Sequence, residues 1–479
     1  MFRWPGLLLG VALIVVLASL QPWLAQWDAL LTAPEIDPDG ALGWVLRVIA
    51  VVTSPVVLYS VWVVLAAVFA RSGLRTLAAT LLLGSVLAAS AHQVIRALVR
   101  RPRPPSLFAE TITYVDFAFP SGHMTGVAAS AGLLGVTAGV LRLSRRWRWA
   151  AAGGIAVVAV NRWAINAHWI SDLVTGTVLG FTAAALAVVL ARPRRLPAQA
   201  RGTALVYHPG RLPGWLASRV APGALLLPTT AQETGSAQAR AALAAGVNRV
   251  LVAGGDGTLR QVAGAVAGTQ TPVGILPLGS GNVLAASLGI PPDLAEASRL
   301  GLDGEARRID VLTVTLDGRE ETCLTMAGVG ADAAVLRDTS DSLKWVAGPV
   351  AYLLAGLGHL RPRPLETTVG RVSQVLIGNV AGLSPGLTFF PGADPCDGEI
   401  EMLTAAPRSS AEVMGCIGAV LRGRGHHRTV TVSRARTHRV GFGAPALCHV
   451  DGDVAGEVST LSVSADRCLL VVSRAASGG

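Results

Sequence analysis

The feature that most constrains this chain is a series of long apolar runs confined to residues 6–190. A helix that spans a bilayer needs about 20 predominantly apolar residues. Six runs approach that length, at 6–25, 43–69, 76–94, 124–141, 149–164 and 173–190. Charged residues make up only 15% of the 479 residues, against roughly 25% in soluble domains. The pattern excludes a disordered protein, a disulfide-rich scaffold and an ordinary soluble enzyme. It predicts an all-α membrane bundle of about six transmembrane helices.

The arginines indicate how this bundle lies in the membrane. The formal net charge is +10, and much of the excess lies in clusters that flank the apolar runs. These clusters are Arg71 with Arg75, then Arg142, Arg145, Arg146 and Arg148, then Arg192, Arg194 and Arg195. A nucleic-acid binder would instead gather its cations in one stripe with aromatic residues, so we predict no nucleic-acid partner. The positive-inside rule places the clusters in the cytoplasm and the loops after the first, third and fifth runs outside. The first run has a second interpretation, as a cleaved signal peptide.

The pattern changes after the last arginine cluster. We predict a membrane domain over 1–195, a linker over 196–202, an α/β lobe over 203–310 and a β-rich lobe over 311–479. Predicted strands at 204–207, 225–227, 249–253 and 273–276 alternate with turns and helices, which indicates an α/β layer. All five cysteines lie in the last third of the chain. An odd number without metal-type pairing fits reduced thiols in a cytosolic domain.

Three polar clusters at the ends of apolar runs predict an anion site on the outward side. The first is Arg96-x6-Arg103-Pro104, the second is Pro120-Ser121-Gly122-His123, and the third is Arg162-x5-His168-x3-Asp172. Arginines offer forked donors for phosphate oxygens, and a helix that begins at Ser121 and Gly122 favours an anion. His168 and Asp172 are four residues apart, so the carboxylate is placed to hold the imidazole in one tautomer. One oriented and one free histidine suit a nucleophile and a general acid.

The three clusters resemble the signature of the type 2 phosphatidic acid phosphatase superfamily, whose members hydrolyse lipid phosphates without a metal. The resemblance implies a covalent phosphohistidine at His168, oriented by Asp172, and protonation of the leaving lipid alkoxide by His123. It also implies no cofactor for this domain, and phosphoryl oxygens held by Arg96, Arg103, Ser121, Gly122 and Arg162. The alternative is a purely structural role, in which the arginines anchor a loop among lipid headgroups and the histidines are ordinary interface residues.

Two glycine-rich loops follow neighbouring predicted strands in the second half. The first is Gly254-Gly255-Asp256-Gly257-Thr258, and the second is Pro277-Leu278-Gly279-Ser280-Gly281-Asn282. Glycines let backbone amides approach a polyphosphate, and the helix that follows adds favourable potential. Two such loops at adjacent strand ends predict a ligand crevice.

Together the loops resemble the diacylglycerol kinase and sphingosine kinase catalytic domain, in its bacterial form and with a distant similarity to NAD kinases. The resemblance implies ATP as substrate with Mg²⁺. It places Gly254–Arg260 and Ser280 at the ATP phosphates, with Gly279, Gly281 and Asn282 beside them and Thr230 near the nucleotide. It also implies Asp453 as general base with Asp451 in support, and Asp397 at a metal site.

The leading hypothesis is therefore a multi-pass cell-membrane enzyme with two activities: an outward-facing lipid phosphatase and a cytoplasmic, ATP-dependent lipid kinase. Its expected partners are the lipid bilayer, a lipid phosphate, a lipid alcohol such as diacylglycerol, and ATP. A second hypothesis keeps the phosphatase and makes the kinase-like half a lipid or nucleotide sensor without catalysis. A third treats the apolar helices as a transporter or an anchor.

Overall fold

The computed structural model describes residues 4–109, 117–338, 360–384, 387–422 and 427–473. The chain divides into two compact units, Met1–Leu196 and Pro197–Gly479. Each unit is described by itself below.

The N-terminal unit is built from α-helices, as the apolar runs predict, because a helix satisfies every backbone polar group within one segment. The helices are α1 (Trp4–Ser19), α2 (Gln21–Asp28), α3 (Ala41–Val52), α4 (Pro55–Arg71), α5 (Arg75–Val99), α6 (Gly122–Val140), α7 (Trp147–Ala164) and α8 (Ile170–Ala191), with one turn of 3₁₀ helix at Ala29–Leu31. The predicted run 43–69 is divided at Thr53 and Ser54, because Ser54 caps α4 and Pro55 occupies its first turn.

The predicted count of about six spans is approximate for the part of the chain that the structure describes. Four helical stretches there are long and apolar enough to cross a membrane: Ala41–Arg71, Arg75–Val99, Gly122–Val140 and Ile170–Ala191. A fifth is formed if Gly6–Ser19 and Gln21–Leu31, which bend by 73°, count as one broken span. The predicted run 149–164 is helical in α7 but does not join them. This helix carries Asn161 and Arg162, which are both 1% exposed, so its polar residues face the bundle interior.

Close contact between α6 and α8 holds the centre of the bundle together. A Cβ atom on Gly180 would lie 2.4 Å from the carbonyl oxygen of Thr125, and one on Gly176 would lie 2.5 Å from that of Ser121. Both glycines therefore let two backbones approach, the packing device that helices in membranes favour. The backbone N–H of Ser121 donates to the carbonyl of Asp172 at 3.1 Å. The packing thus brings the second and third sequence clusters together.

The C-terminal unit begins with the predicted α/β layer. Its strands are β1 (Thr203–Tyr207), β2 (Leu225–Pro228), β3 (Arg249–Gly254) and β4 (Val273–Pro277). They are parallel in the order β2-β1-β3-β4. The accompanying helices are α9 (Gly214–Val220), α10 (Ser236–Ala244), α11 (Asp256–Val266), α12 (Val283–Ser287) and α13 (Leu294–Asp303). The strands are almost entirely buried apart from β2 at the edge, as parallel sheets covered on both faces require.

The predicted β-rich lobe is also present. Its strands are β5 (Glu305–Leu316), β6 (Arg319–Cys323), β7 (Met326–Gly330), β8 (Leu365–Thr367), β9 (Gly370–Val372), β10 (Gln374–Gly378), β11 (Gly382–Ser384), β12 (Leu387–Thr388), β13 (Ile400–Ala405), β14 (Val430–Ala435), β15 (Thr437–Val450) and β16 (Asp453–Ser473). Its helices are α14 (Ala331–Asp338) and α15 (Ser410–Leu421).

The two lobes share one sheet. Strand β16 pairs with β4 in parallel, with Val471 opposite Val273, and the path runs β14-β13-β10-β7-β15-β16-β4-β3-β1-β2. The predicted lobe boundary at residue 310 falls inside β5, which starts at Glu305 and pairs with β16 along most of its length. The fold class is confirmed: a helical apolar region is followed by an α/β layer and a β-rich layer.

Candidate active sites

The first candidate site lies in the helical unit, where residues from all three sequence clusters meet. Arg103 comes from the segment after α5, and its Nη1 lies 3.4 Å from Nε2 of His168. The same nitrogen donates to the carbonyl of Ala167 at 2.7 Å. Arg162 of α7 places its Nη1 3.5 Å from Nε2 of His123 on α6. Two guanidinium groups and two imidazoles therefore lie close enough together for their charges to interact.

His168 is held in one tautomer. Its Nδ1 lies 2.8 Å from the carbonyl oxygen of Ala118, and a carbonyl accepts only, so Nδ1 carries the proton. The lone pair is then on Nε2, the nitrogen that faces Arg103. Burial, together with the charges of Arg103 and Arg162, holds the pKa of His168 well below its usual value. These surroundings therefore favour the neutral ring, with its lone pair on Nε2.

The position of Asp172 differs from the prediction. Its Oδ2 lies 3.8 Å from Nδ1 of His168, beyond hydrogen-bond distance, so the Ala118 carbonyl fixes the tautomer instead. Asp172 accepts from the backbone N–H of Trp169 at 2.9 Å and from Arg101 at 2.8 Å. Asp172 therefore holds the first turn of α8, with its carboxylate near Nδ1 of His168.

Ser121 and Gly122 start α6 as predicted. Ser121 is fully buried and its hydroxyl accepts from the N–H of Met124 at the helix start. A Cβ atom on Gly122 would lie 2.9 Å from Nε2 of His92, so only glycine leaves room for that ring. His92 was not among the predicted site residues. Its spacing of four from Arg96 on α5 is the signal that points to it, and Arg96 lies close enough for its charge to act on His92.

Arg162 is oriented by its neighbour in the sequence. Its Nε donates to Oδ1 of Asn161 at 3.0 Å, and Asn161 donates to the carbonyl of Leu46 at 2.9 Å. His123 contacts the same helix α3, since its Nε2 lies 3.0 Å from the carbonyl of Ala50. Helix α3 thus supports both residues, although the sequence motifs contain nothing from it.

The second candidate site lies in the C-terminal unit, where the two glycine loops touch. The backbone N–H of Leu278 donates to the carbonyl of Gly254 at 2.9 Å. A Cβ atom on Gly279 would lie 2.5 Å from Cα of Gly255, so both positions require glycine. Asn282 closes the second loop, with its side chain bonded to both the N–H and the carbonyl of Gly279 at 2.8 and 2.7 Å.

Asp256 connects these loops to the next helix. Its carboxylate accepts from the backbone N–H groups of Asn282, Val283 and Leu284, at the start of α12. Burial, and secondly the charge of Asp451, raise the pKa of Asp256 above its usual value. Asp256 therefore fixes the relative position of the two loops.

A cleft of about 620 Å³ opens beside the first glycine loop. Its lining contains the predicted residues Thr230, Gly257, Thr258 and Asp453. It also contains Arg260, the last residue of the predicted phosphate-binding range, and residues that were not predicted as site residues: His208, Pro209, Gly210, Thr229, Ala231, Thr234 and Gln261. The predicted Gly254, Gly255, Asp256, Gly279, Ser280, Gly281 and Asn282 do not line this cleft; the loop that contains the last four closes against the first.

The two aspartates of the last motif have different environments. Asp453 is 66% exposed, and its Oδ2 lies 2.6 Å from Nη2 of Arg260. Asp451 instead accepts from the N–H of Leu324 at 2.9 Å and from both the N–H and the hydroxyl of Thr325 at 2.8 and 2.6 Å. With φ at 50°, Asp451 shapes the turn that presents Asp453.

The structure does not support the predicted metal site at Asp397. One carboxylate oxygen pairs with Arg434 and the other accepts from the N–H of Glu399 at 2.9 Å. Within the described ranges, no group of three or more His, Cys, Asp or Glu side chains is placed to hold a metal ion. Both oxygens of Asp397 are thus already bound to donors.

Comparison with known families gives two matches, one in each unit. Residues 74–196 match the model of the PAP2 superfamily, and residues 222–314 match the model of the diacylglycerol kinase catalytic domain. The first match contains all three clusters of the helical unit. The second contains both glycine loops.

The chain is also similar to curated bacterial lipid kinases. A diacylglycerol kinase of Mycobacterium tuberculosis is 30% identical over 228 residues, which cover 45% of this chain and 73% of that protein. A probable lipid kinase YegS-like of Pseudomonas fluorescens is 36% identical over 206 residues, covering 40% and 66%.

A crystal structure of a putative diacylglycerol kinase from Bacillus anthracis aligns with a TM-score of 0.46 and 18% identity, covering 58% of this chain and 97% of that one. A transmembrane PAP2 type phosphatidylglycerolphosphate phosphatase from Bacillus subtilis aligns with a TM-score of 0.32 and 17% identity, covering 39% and 95%. From the family matches and the curated relatives, the chain belongs to the diacylglycerol kinase family and carries a PAP2 domain before its kinase part, so that a lipid phosphatase is fused to a lipid kinase.

Proposed function

We propose that the helical unit hydrolyses a lipid phosphate through a phosphohistidine on His168. The observation that carries this proposal is the Nδ1 contact with Ala118, which leaves the Nε2 lone pair facing the arginines. In the first step Nε2 forms a bond to phosphorus, the bond from phosphorus to the lipid oxygen breaks, and His123 gives the leaving alkoxide a proton. In the second step water gives a proton to His123 and forms a bond to phosphorus, the bond from Nε2 to phosphorus breaks, and inorganic phosphate leaves.

Charge in this site supports the same chemistry. Arg103 and Arg162 stand beside the two histidines, and guanidinium groups remain charged and match phosphate geometry. Arg96, in the last turn of α5, and the N-terminal end of α6 at Ser121 and Gly122 add to the positive potential. We infer that these groups hold the phosphoryl oxygens, and that this domain needs no metal.

Trapping the covalent intermediate tests this mechanism. Full-length protein is mixed with ³²P-labelled phosphatidate, denatured with alkali within milliseconds and counted for bound label. We expect label that is stable in alkali and lost in acid, as phosphohistidine is, and none in His168→Ala. Label that persists in His168→Ala, or that survives acid, would contradict the mechanism.

We propose that the C-terminal unit transfers the γ-phosphate of ATP to a lipid alcohol such as diacylglycerol. The cleft beside the first glycine loop supports this proposal, since Gly257, Thr258 and Thr230 line it together with Asp453. Asp453 is the proposed general base, and Arg260 fixes its position. Among the described residues that line the cleft, Asp453 is the one carboxylate. A Mg²⁺ ion here would therefore take most of its ligands from the ATP phosphates and from water, and it would offset the phosphate charge.

A second candidate for this unit is a lipid or nucleotide sensor without catalysis. The observation that favours it is that both aspartates of the last motif already have partners. Asp453 is paired with Arg260, and Asp451 accepts hydrogen bonds from several donors. Incubation of purified protein with γ-³²P-ATP, Mg²⁺ and a panel of lipid alcohols separates the two candidates. Label in a lipid product, absent in Asp453→Asn, supports the kinase, whereas ATP binding without any labelled lipid supports the sensor.

We propose that the phosphatase site faces outward and the kinase unit lies in the cytoplasm. The arginine clusters that end at Arg195 support this orientation through the positive-inside rule. ATP is a cytoplasmic substrate, which agrees with a kinase unit that follows an inward-ending helix.

A further inference from the structure

A buried charge network lies behind His168, on the side opposite the lone pair. Arg101 donates from Nη2 to Asp28 and from Nη1 to Asp172, with 2.8 Å in each contact. The same Nη1 lies 2.7 Å from the hydroxyl of Ser171. Asp28, Arg101, Ser171 and Asp172 are 5%, 8%, 7% and 0% exposed. Charges that are this deeply buried persist only when they are paired.

Asp28 enters this network from outside the recognised phosphatase domain. It is the last residue of α2 and lies before the matched range 74–196. Its Oδ1 accepts from the backbone N–H of Ser171 at 3.1 Å, and its Oδ2 accepts from the Ser171 hydroxyl. The Asp28 side chain thus accepts hydrogen bonds from Arg101 and from the first turn of α8. That turn begins two residues after His168.

The network contains one cation and two carboxylates, so its net charge is −1 when all three are ionised. With Arg101 and Asp172 alone the charges would cancel. The carboxylate of Asp172 lies 3.8 Å from Nδ1 of His168. When Nε2 bonds to phosphorus, the ring keeps its Nδ1 proton and becomes cationic, so a net negative charge nearby stabilises it.

We propose that Asp28 is a positioning residue of the phosphatase: it shares Arg101 with Asp172 and thereby keeps one net negative charge beside Nδ1 of His168. This inference rests on the proposed phosphohistidine mechanism. It gives a part in the reaction to α2, a helix that contributes no residue to the three sequence motifs.

Other charged and titratable groups also act on His168 and must stay constant in any test. They come from α5, from the segment after it, from α6, from α7 and from α8, and they are His92, Arg103, His123, Arg162 and Asp172. The variants below leave all five unchanged.

The test is the pH dependence of kcat for phosphatidate hydrolysis by the full-length protein in detergent micelles. The acid limb reports the protonation of His168, because only the neutral ring attacks phosphorus. Asp28→Asn removes a negative charge, so the cationic ring is less stable and the limb moves to lower pH, by roughly one pH unit. Arg101→Gln removes a positive charge, so the limb moves by a similar amount to higher pH.

Two further variants separate charge from support of the fold. The double variant Asp28→Asn with Arg101→Gln restores the net charge of −1, so its acid limb returns to that of the parent protein. Asp28→Glu keeps the charge, so its limb stays in place even if the longer side chain lowers kcat roughly 10-fold to 100-fold by misplacing α8.

Acid limbs of Asp28→Asn and Arg101→Gln that superimpose on the parent, or that move in the same direction, would overturn the proposal and leave the network a purely structural one. A parent protein that releases no phosphate from phosphatidate or from other lipid phosphates would instead refute the proposed phosphatase function itself.

Discussion

Single residues decide how the two phosphate sites are shaped, and they differ in how visible they are in the sequence. Arg103, His123, Arg162 and His168 could be predicted because their spacing carries the chemistry. The carbonyl of Ala118 that fixes the His168 tautomer could not, because every residue has such a carbonyl and only the fold selects one. The sequence did not indicate Asp28 for a related reason: it lies 143 positions from its partner Ser171, and only the fold brings the two together.

Gly279 gives a prediction at this scale. A Cβ atom at Gly279 would lie 2.5 Å from Cα of Gly255, a distance that forces the two loops apart. We expect Gly279→Ala to raise the KM for ATP at least about 10-fold and to destabilise the C-terminal unit by about 1–3 kcal/mol. Lipid kinase assays and thermal unfolding measure the two effects.

The matched control is Gly392→Ala in the same unit, where an added Cβ atom meets nothing within 4 Å. It should leave both the KM and the unfolding midpoint close to those of the parent. Equal effects from the two alanines would contradict the close approach of the loops.

Arg260 gives a second prediction, because it holds Asp453 and also donates to the carbonyl of Val450 at 2.9 Å. Arg260→Gln removes the charge that fixes the proposed base, so we expect the kcat of the kinase to fall roughly 10-fold to 100-fold. Arg467→Gln is the control, because Arg467 likewise donates to a backbone carbonyl, that of Gly264 on α11, at 2.9 Å. An unchanged kcat in Arg260→Gln would show that Asp453 does not act as a base oriented by Arg260.

At the scale of elements, the packing of α6 against α8 positions the phosphatase site. A Cβ atom on Gly180 would lie 2.4 Å from the carbonyl of Thr125 and 2.6 Å from the N–H of Ala129. We expect Gly180→Ala to separate the helices, to weaken the contact between Ser121 and Asp172 and to lower phosphatase activity at least about 10-fold. Activity on phosphatidate measures this, with the kinase activity of the same protein as an internal reference.

Gly139→Ala on α6 is the corresponding control, because its added Cβ atom would have no neighbour within 4 Å. If this control loses as much phosphatase activity as Gly180→Ala, the close packing of the two helices is not what positions the site.

The elements also show where prediction from sequence ends. Apolar length predicts helices well, but Asn161 and Arg162 make α7 too polar to count as a span although it belongs to the bundle. The α/β layer and the β-rich layer are both visible as local patterns. Their union in one sheet depends on Val471 pairing with Val273. Such a pairing between distant segments leaves no local pattern in either one.

At the scale of the whole molecule, the proposed orientation predicts which residues an impermeant reagent can reach. Cys396 is exposed and belongs to the kinase unit, whereas Leu107 is 57% exposed and follows α5 beside the phosphatase cluster. In intact cells we expect an impermeant maleimide to label Leu107→Cys but not Cys396. Cys396 should become labelled only after the membrane is opened. Labelling of both positions in intact cells would refute the proposed orientation.

Metal removal should also separate the two halves. In the proposed functions, ATP would bring Mg²⁺ to the kinase cleft, whereas arginines would supply the positive charge in the phosphatase site. We therefore expect EDTA to abolish lipid phosphorylation and to leave phosphate release from phosphatidate within about twofold of its starting rate. Added Mg²⁺ should restore the kinase activity. Loss of phosphate release in EDTA would contradict a phosphatase that works through arginine and histidine alone.

The central claim is that one chain carries two independent phosphate-transfer sites, and measurement of both activities in His168→Ala and Asp256→Ala tests it most directly. We predict that His168→Ala loses phosphate release by at least about 100-fold and retains lipid phosphorylation. Asp256→Ala removes the hydrogen bonds that connect the two glycine loops, so it should lose lipid phosphorylation and retain phosphate release. A single substitution that abolishes both activities, or a pair of substitutions that abolishes neither, would contradict the account.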